Sequence, residues 1–385
     1  MTNLQKGIIT LIRSALTNEK LTLPDDFSIE AALPQLKRHQ IAALCHKGAV
    51  LCGVPKDSPT MQNLFRWNYR NLLKSEAQCK TIGEVCELFE EQNIDYMLMK
   101  GCNLKELYPS KELRQMADAD ILIKQEQYPK IKSLIENLGY KEKVGSDHAY
   151  IWYNDALVLE LHKSPVPLSS PDYDYFGDGW AKAKQKSGRR YVQSPEDEYI
   201  FIFAHYAKHY RLGGIGCRQV TDLWVFMQAF PNMDFGYIEA EIEKLGLLEF
   251  YKNTIRMLSA WFEDTPHDDI TLLITDFIFE SGSWGTKENI ALSKSARFKK
   301  DSTSVETAKA KHILRLFFPT AASIEGRYRV LAQKPWLLPF YWGVRWVDIL
   351  KNRPKNVKYR FEETKLVNDE NMSEYKSALR KVGLK

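Results

Sequence analysis

MKGCNLKELYPSKELRQMADADILI, residues Met99 to Ile123, runs from the end of one extended segment to the start of the next. The apolar run Tyr96-Met97-Leu98-Met99 leads into Lys100-Gly101, and a short helical pattern follows with Cys102, Leu104 and Leu107 as its apolar positions. An irregular connection through Pro109 ends at Arg114-Gln115-Met116-Ala117-Asp118-Ala119-Asp120, before the β-rich run Ile121-Leu122-Ile123. Side chains two apart on a strand share a face, so Asp118 and Asp120 stand side by side while Ala117, Ala119 and Ile121 face away. Adjacent carboxylates repel unless a cation lies between them. A hard divalent ion with oxygen ligands, Mg²⁺ above all, suits such a pair.

Working outward, Ile94–Met99 reads as the first strand, with Asn93 marking the turn before it. Gly101 falls where a helix N-terminus opens, and backbone N–H groups there can meet phosphate oxygens. Lys100 would add a point charge to the same anion. Downstream, Gln127–Leu138 is amphipathic and ends at Gly139. His148–Tyr153 and Ala156–His162 read as a hairpin turning at Asn154-Asp155. Ala156, Val158, Glu160 and His162 share one face of the last strand. An acid inside such an apolar strand is costly to bury unless it is paired or metal-bound. His162 either touches substrate, orients Glu160 or is structural.

These residues resemble the uncharacterised nucleotidyltransferase family of the polymerase-β-like superfamily. The resemblance rests on Lys100-Gly101, on Arg114-x-Met116-x-Asp118-x-Asp120-Ile121-Leu122 and on Glu160-Leu161-His162, and continues more loosely through 194–228. It implies an α+β fold: a small mixed β-sheet nucleotidyltransferase core over 79–193, an N-terminal helical region over 1–78 and a C-terminal helical domain over 194–385. It implies that Asp118, Asp120 and Glu160 hold two Mg²⁺ ions, with Mn²⁺ as a substitute. A nucleoside monophosphate would pass from an NTP, ATP foremost, to a hydroxyl-bearing acceptor, releasing pyrophosphate. Lys100, Gly101 and Lys208 would screen phosphate charge, and Arg114 would either join them or brace the motif loop. The chain departs from many superfamily members in carrying Lys100-Gly101 where they have Gly-Ser.

At 385 residues the chain accommodates two or three domains. Its 44% hydrophobic and 27% charged residues are ordinary globular composition. A net charge of +5 permits a polyanionic ligand without arguing for stable DNA binding. The six cysteines show neither CxxC nor zinc spacing, and the N-terminus leads into an amphipathic segment instead of a signal peptide, so the setting reads as reducing and cytoplasmic.

The first 78 residues read as helices broken at Pro24–Asp26 and Pro34, with one helical run over 35–52 and one or two over Met61–Phe89. Residues 164–190 read as loop, its Tyr173, Tyr175, Phe176 and Trp180 either lining an acceptor pocket or pinning the segment, and Arg189–Val192 as a further strand. Ser194-Pro195 starts a helix that presents His205, Lys208 and His209 on one face. Arg218 and Asp222, four apart on the next helix, either pair or face the cleft. Residues 281–304 read as a polar insertion and the tail after 360 as a charged helix. The aromatic stretch Pro335–Leu350 is shorter than the roughly 20 residues a membrane span needs, which leaves a packed helix or peripheral membrane contact. Two other function classes fit the DxD pattern: a metal-dependent glycosyltransferase using a nucleotide sugar, and a non-catalytic nucleotide-binding or interaction protein on the same scaffold.

Overall fold

The computed structural model describes residues 1–143, 145–296, 314–315, 317–324, 328, 330–352 and 368–384. The architecture is α+β. Three helices, α1 (Asn3–Thr17), α2 (Ile29–Arg38) and α3 (Ala42–Leu51), precede a 33-residue helix α4 (Pro59–Glu91), and two one-turn helices, α5 (Gly101–Leu104) and α7 (Tyr173–Phe176), lie between strands further on. Ser58 caps α4 by accepting from the Met61 amide, and Pro59 occupies its first turn. A mixed sheet follows, built from β1 (Tyr96–Met99), β2 (Asp118–Ile123), β3 (Lys141–Lys143), β4 (Ala149–Tyr153), β5 (Val158–His162), β6 (Lys184–Ser187) and β7 (Arg190–Val192), in the spatial order β3-β4-β5-β2-β1-β7-β6.

The register puts the acids at the centre of this sheet. β2 lies antiparallel to β1, with Asp120 opposite Met99, and parallel to β5, with Asp120 opposite Glu160 and Leu122 opposite His162. Alternation then divides the side chains. Ala119, Ile121, Leu159 and Leu161 face a core closed by Val85 and Phe89 of α4 and by Ile131 and Ile135 of α6 (Tyr128–Asn137). Asp118, Asp120, Glu160 and His162 face the other way. On that second face Met97, Met99 and Leu122 pack with Trp180 and Tyr191, so only the region around the acids stays polar.

A helical body covers the polar face. It contains α8 (Pro195–Arg211), α9 (Cys217–Ala229), α10 (Phe235–Lys244), α11 (Leu248–Phe262) and α12 (Asp269–Ser281). Ile8, Leu11 and Ile12 of α1 share one apolar core with Phe203, Phe250 and Ile274 and with Val382 and Leu384 near the C-terminus, so the N-terminal helices and the helical body pack as one unit. A hydrogen-bond tie crosses from this body to the sheet: Asn103 Nδ2 donates to Leu98 O (2.8 Å) and to Glu198 Oε1 at the start of α8 (2.7 Å).

Local departures from the sequence reading have local causes. Pro34 lies within α2 instead of ending it, because buried Ala32 and Leu36 on either side hold the helix by packing. The run over 35–52 is broken between α2 and α3, where Gln40 takes a left-handed φ of 57°. The 164–190 segment contains the exposed strand β6, which extends the sheet edge through β7. Residues 287–296 of the expected insertion form a helix, Lys287–Ala296; 297–304 lie outside the described residues. The aromatic stretch forms the helix Leu338–Asn352, with Trp342 and Trp346 donating to Pro319 O and Phe317 O, and Phe340 and Val347 exposed. No helix among the described residues is long and apolar enough to cross a membrane.

Candidate active site

The residues assigned to metal and phosphate in the sequence line one cavity of about 330 Å³: Lys100, Gly101, Arg114, Asp118, Asp120, Glu160 and Lys208. They come from five places in the chain. β2 and β5 supply the acids, the turn after β1 supplies Lys100 and Gly101, the motif loop supplies Arg114, and α8 supplies Lys208 with His205 and His209. The aromatics of the 164–190 segment are not in this wall. Phe176 packs on Phe201, and Trp180 packs on Tyr191, so they pin the segment.

Asp120 is the centre of the charge network. Its Oδ1 accepts from Lys100 Nζ (2.7 Å) and from His162 Nε2 (2.7 Å), and His162 Nε2 lies 3.5 Å from Glu160 Oε2. Burial pushes the Asp120 carboxyl up, but the Lys100 ammonium and His162 outweigh it and hold it well below the ordinary carboxylate range. Asp118 behaves oppositely. Burial and the neighbouring Asp120 and Glu160 charges raise it, and Lys100 only partly compensates. One acid is thus held charged, while its neighbour two residues away is driven towards the protonated form. His162 is raised: burial opposes its charge, but its hydrogen bonds to Asp120 and Glu160 prevail.

The donor set fits a divalent ion, though not in the grouping the sequence suggested. Ligand atoms of Asp120, Glu160 and His162 all lie within 4.8 Å of one another, a spacing that bonds of about 2.0–2.6 Å can bridge. Asp118 is outside that group but lines the same cavity. His162 is therefore the residue whose role the sequence left open; its place two residues after Glu160 on the same face was the available signal. Lys100 Nζ already sits against Asp120 where a cation belongs, held by a backbone at φ 46°, ψ −115°.

Arg114 does not point its fork at the cavity. Its Nε and Nη2 donate to Asp222 Oδ1 and Oδ2 (2.7 and 2.9 Å), with both side chains buried. Tyr108 OH donates to the same Asp222 (2.8 Å). Breaking such a buried pair costs about 3–5 kcal/mol. Arg114 therefore braces the motif loop on α9, which favours that alternative over a phosphate contact. Asp222 is not paired with Arg218. Instead Arg218 Nη1 donates to Gln115 O (2.8 Å), and its Nε is buried with no hydrogen-bond partner among the described residues. Gly101 sits in a tight place: a Cβ there would lie 3.0 Å from Arg114 Nη1 and 3.2 Å from Met116, so those side chains would have to give by a few tenths of an ångström.

The far wall is cationic or neutral. His205 and His209 meet through their Nε2 atoms (2.9 Å). Burial, Lys100 and the neighbouring His209 and Lys208 push His205 well down, and burial with Lys208 lowers His209 to about 4, so both rings are neutral at pH 7. Trp284, 70% exposed, stands at the mouth.

The result is a polar cleft with acids on the central strands of a mixed sheet and cations opposite. Residues 25–263 match the model of the uncharacterised nucleotidyltransferase family, and the chain belongs to that family. It is a nucleotidyltransferase by that membership. A comparison with curated proteins finds no match. Two solved structures are similar at low level: the antibiotic-resistance factor ANT(2'')-Ia in solution (13% identity, 46% of this chain and 98% of that one, TM-score 0.34), and ANT(2'')-Ia in complex with adenylyl-2''-tobramycin (12% identity, 43% and 97%, TM-score 0.34).

Proposed function

We propose that the protein transfers a nucleoside monophosphate from a divalent-metal-bound NTP, ATP foremost, to a hydroxyl group of an acceptor, with release of pyrophosphate. The observation that carries this reading is the pairing of Asp120 with Glu160 across β2 and β5, with Asp118 on the same face of one cavity. Asp120, Glu160 and His162, joined by Asp118, would hold Mg²⁺ or Mn²⁺. Bound metal would supply charge neutralisation on the triphosphate and on the departing pyrophosphate.

The chain's own groups divide the remaining work. Asp120, kept ionised, anchors the cation end of the site. Glu160 takes the proton from the acceptor hydroxyl as its oxygen forms the new bond to the α-phosphorus and the bond to pyrophosphate breaks. Lys100, Lys208 and the Gly101 amide screen the phosphate oxygens. Arg114, through Asp222, fixes the loop that presents Asp118. Trp284 offers an indole face to the base. A cytoplasmic setting belongs to this reading and suits the six free cysteines.

One observation favours the non-catalytic reading: Lys100 already neutralises Asp120, as a binding scaffold without metal would need. Family membership weighs against both that reading and the nucleotide-sugar reading. The test is pyrophosphate release from each of the four NTPs with Mg²⁺ and a panel of hydroxyl acceptors. The expected result is acceptor-dependent release that EDTA abolishes. Acceptor-dependent release of a nucleoside diphosphate from a nucleotide sugar, with no pyrophosphate from any NTP, would overturn the proposal.

A further inference from the structure

A second cavity, of about 600 Å³, opens behind α8. Its walls are the 167–172 loop, the last turn of α8 and the C-terminal helix Asp369–Lys381. Lys208 and Arg211, three apart on α8, line it from one side, and Lys376 and Arg380, four apart, line it from the other. Against these four cations the described lining holds a single carboxylate, Asp172. Arg211 Nε is buried with no hydrogen-bond partner among the described residues, and burial lowers the Arg211 guanidinium. Asp172 acts on Arg211 and Lys208 from its side of the cavity, and the described lining offers Lys376 and Arg380 on the opposite wall no carboxylate of their own.

The wall is firmly built. Met372 and Tyr375 pack on Ala291 and Leu292, Tyr375 OH donates to Arg211 O (2.7 Å), and Asn253 Nδ2 donates to Val382 O (3.0 Å). Lys208 lines both this cavity and the acid-lined one, and His205 and His209 lie on the same helix in the latter. The volume is that of a small-molecule site, whereas a polynucleotide needs an open groove.

We propose that this cavity is the acceptor subsite, and that the acceptor is a small polyol or sugar bearing a phosphate group. Lys376, Arg380 and Arg211 grip the phosphate, and the far hydroxyl reaches past Lys208 to the acids. This rests on the nucleotidyl-transfer reading for its purpose, but the binding event stands apart from it and is measured separately.

The test is calorimetric titration of the full-length protein with glucose 6-phosphate, with inorganic phosphate and glucose as the other two arms. It is repeated on Lys376→Glu/Arg380→Glu and on the milder Lys376→Gln/Arg380→Gln, each checked by circular dichroism. Glucose 6-phosphate should bind, glucose should not, and phosphate alone should bind more weakly. Reversing two of the four cations should weaken the sugar phosphate at least about tenfold, and the glutamine pair less, while Mg²⁺–ATP affinity stays within about twofold. Equal affinity in wild type and both variants, or no binding to wild type, would overturn the proposal. So would displacement of the sugar phosphate by a saturating non-hydrolysable ATP analogue, because the anion would then occupy the reaction cleft. A failure of nucleotidyl transfer itself appears instead as absent pyrophosphate release with this binding intact.

Discussion

Asp118→Asn and Asp120→Asn exchange the same group two residues apart on one strand, yet the structure assigns them opposite effects on stability. The Asp120 side chain is 7% exposed and that of its partner Lys100 is 19% exposed. Neutralising Asp120 strands a buried ammonium and leaves His162 a neutral amide oxygen in place of a carboxylate. Loss of one partner of a buried pair costs about 3–5 kcal/mol, and because the amide oxygen still accepts from Lys100 the lower end, about 3 kcal/mol, is expected. Asp118 is raised by burial and by the Asp120 and Glu160 charges, so its ionised form costs stability and the amide relieves that cost. The pH dependence carries the same signs. Asp120, depressed below its unfolded value of about 3.9, contributes stability that is complete above pH 4 and lost as pH falls through the folded value. Asp118, raised, contributes a penalty at neutral pH that fades on acidification. Urea unfolding at pH 7 in EDTA measures both, and both variants should lose transfer activity. Equal destabilisation by the two substitutions, or a stabilised Asp120→Asn, would refute this division of the pair.

Other consequences follow from named contacts. Arg114→Ala leaves Asp222 buried without its fork and should cost about 3–5 kcal/mol by the same urea assay; a change under about 1 kcal/mol would mean the pair does not brace the loop. Lys100→Met removes the ammonium that occupies Asp120, so Mn²⁺ binding without nucleotide, read by electron paramagnetic resonance, should tighten; weaker binding would show that Lys100 assists the ion instead of competing with it. His209 is lowered from 6.5 to about 4, so the unfolded chain binds the extra proton between those values and stability should fall as pH drops from 6.5 towards 4. A His205→Gln/His209→Gln variant should flatten that part of the urea-midpoint profile, and an unchanged slope would remove the pair as its source.

Much of the site was legible because strand geometry is simple. The period of two put Asp118 and Asp120 on one face, and the lone acid in the apolar Val158–His162 strand pointed to Glu160. The partners were not legible, since they depend on packing between distant segments. The spacing of Arg218 and Asp222 allowed either a pair or two residues facing the cleft; both line the cavity, but the buried partner of Asp222 is Arg114, 108 positions away, supplied by the docking of α9 on the motif loop. Lys100 reads as a phosphate contact, and its pairing with Asp120 emerges only when the sheet register brings Met99 opposite Asp120. Strand β6 carries Lys184, Gln185, Lys186 and Ser187, all exposed, and so offers no hydrophobic period to detect. The basic cavity joins α8 to a helix more than 150 residues further on, a meeting that neither segment announces.

The most direct test of the central claim follows the fate of the two ends of one nucleotide. The protein is incubated with Mg²⁺ and cell extract, using ATP labelled at the α-phosphate in one reaction and at the γ-phosphate in the other. The account predicts that α-label passes to an acceptor while γ-label leaves as pyrophosphate, and that Asp120→Asn and EDTA each abolish both. Transfer of γ-label to the acceptor, or α-label transfer that persists in the Asp120→Asn variant, would contradict it.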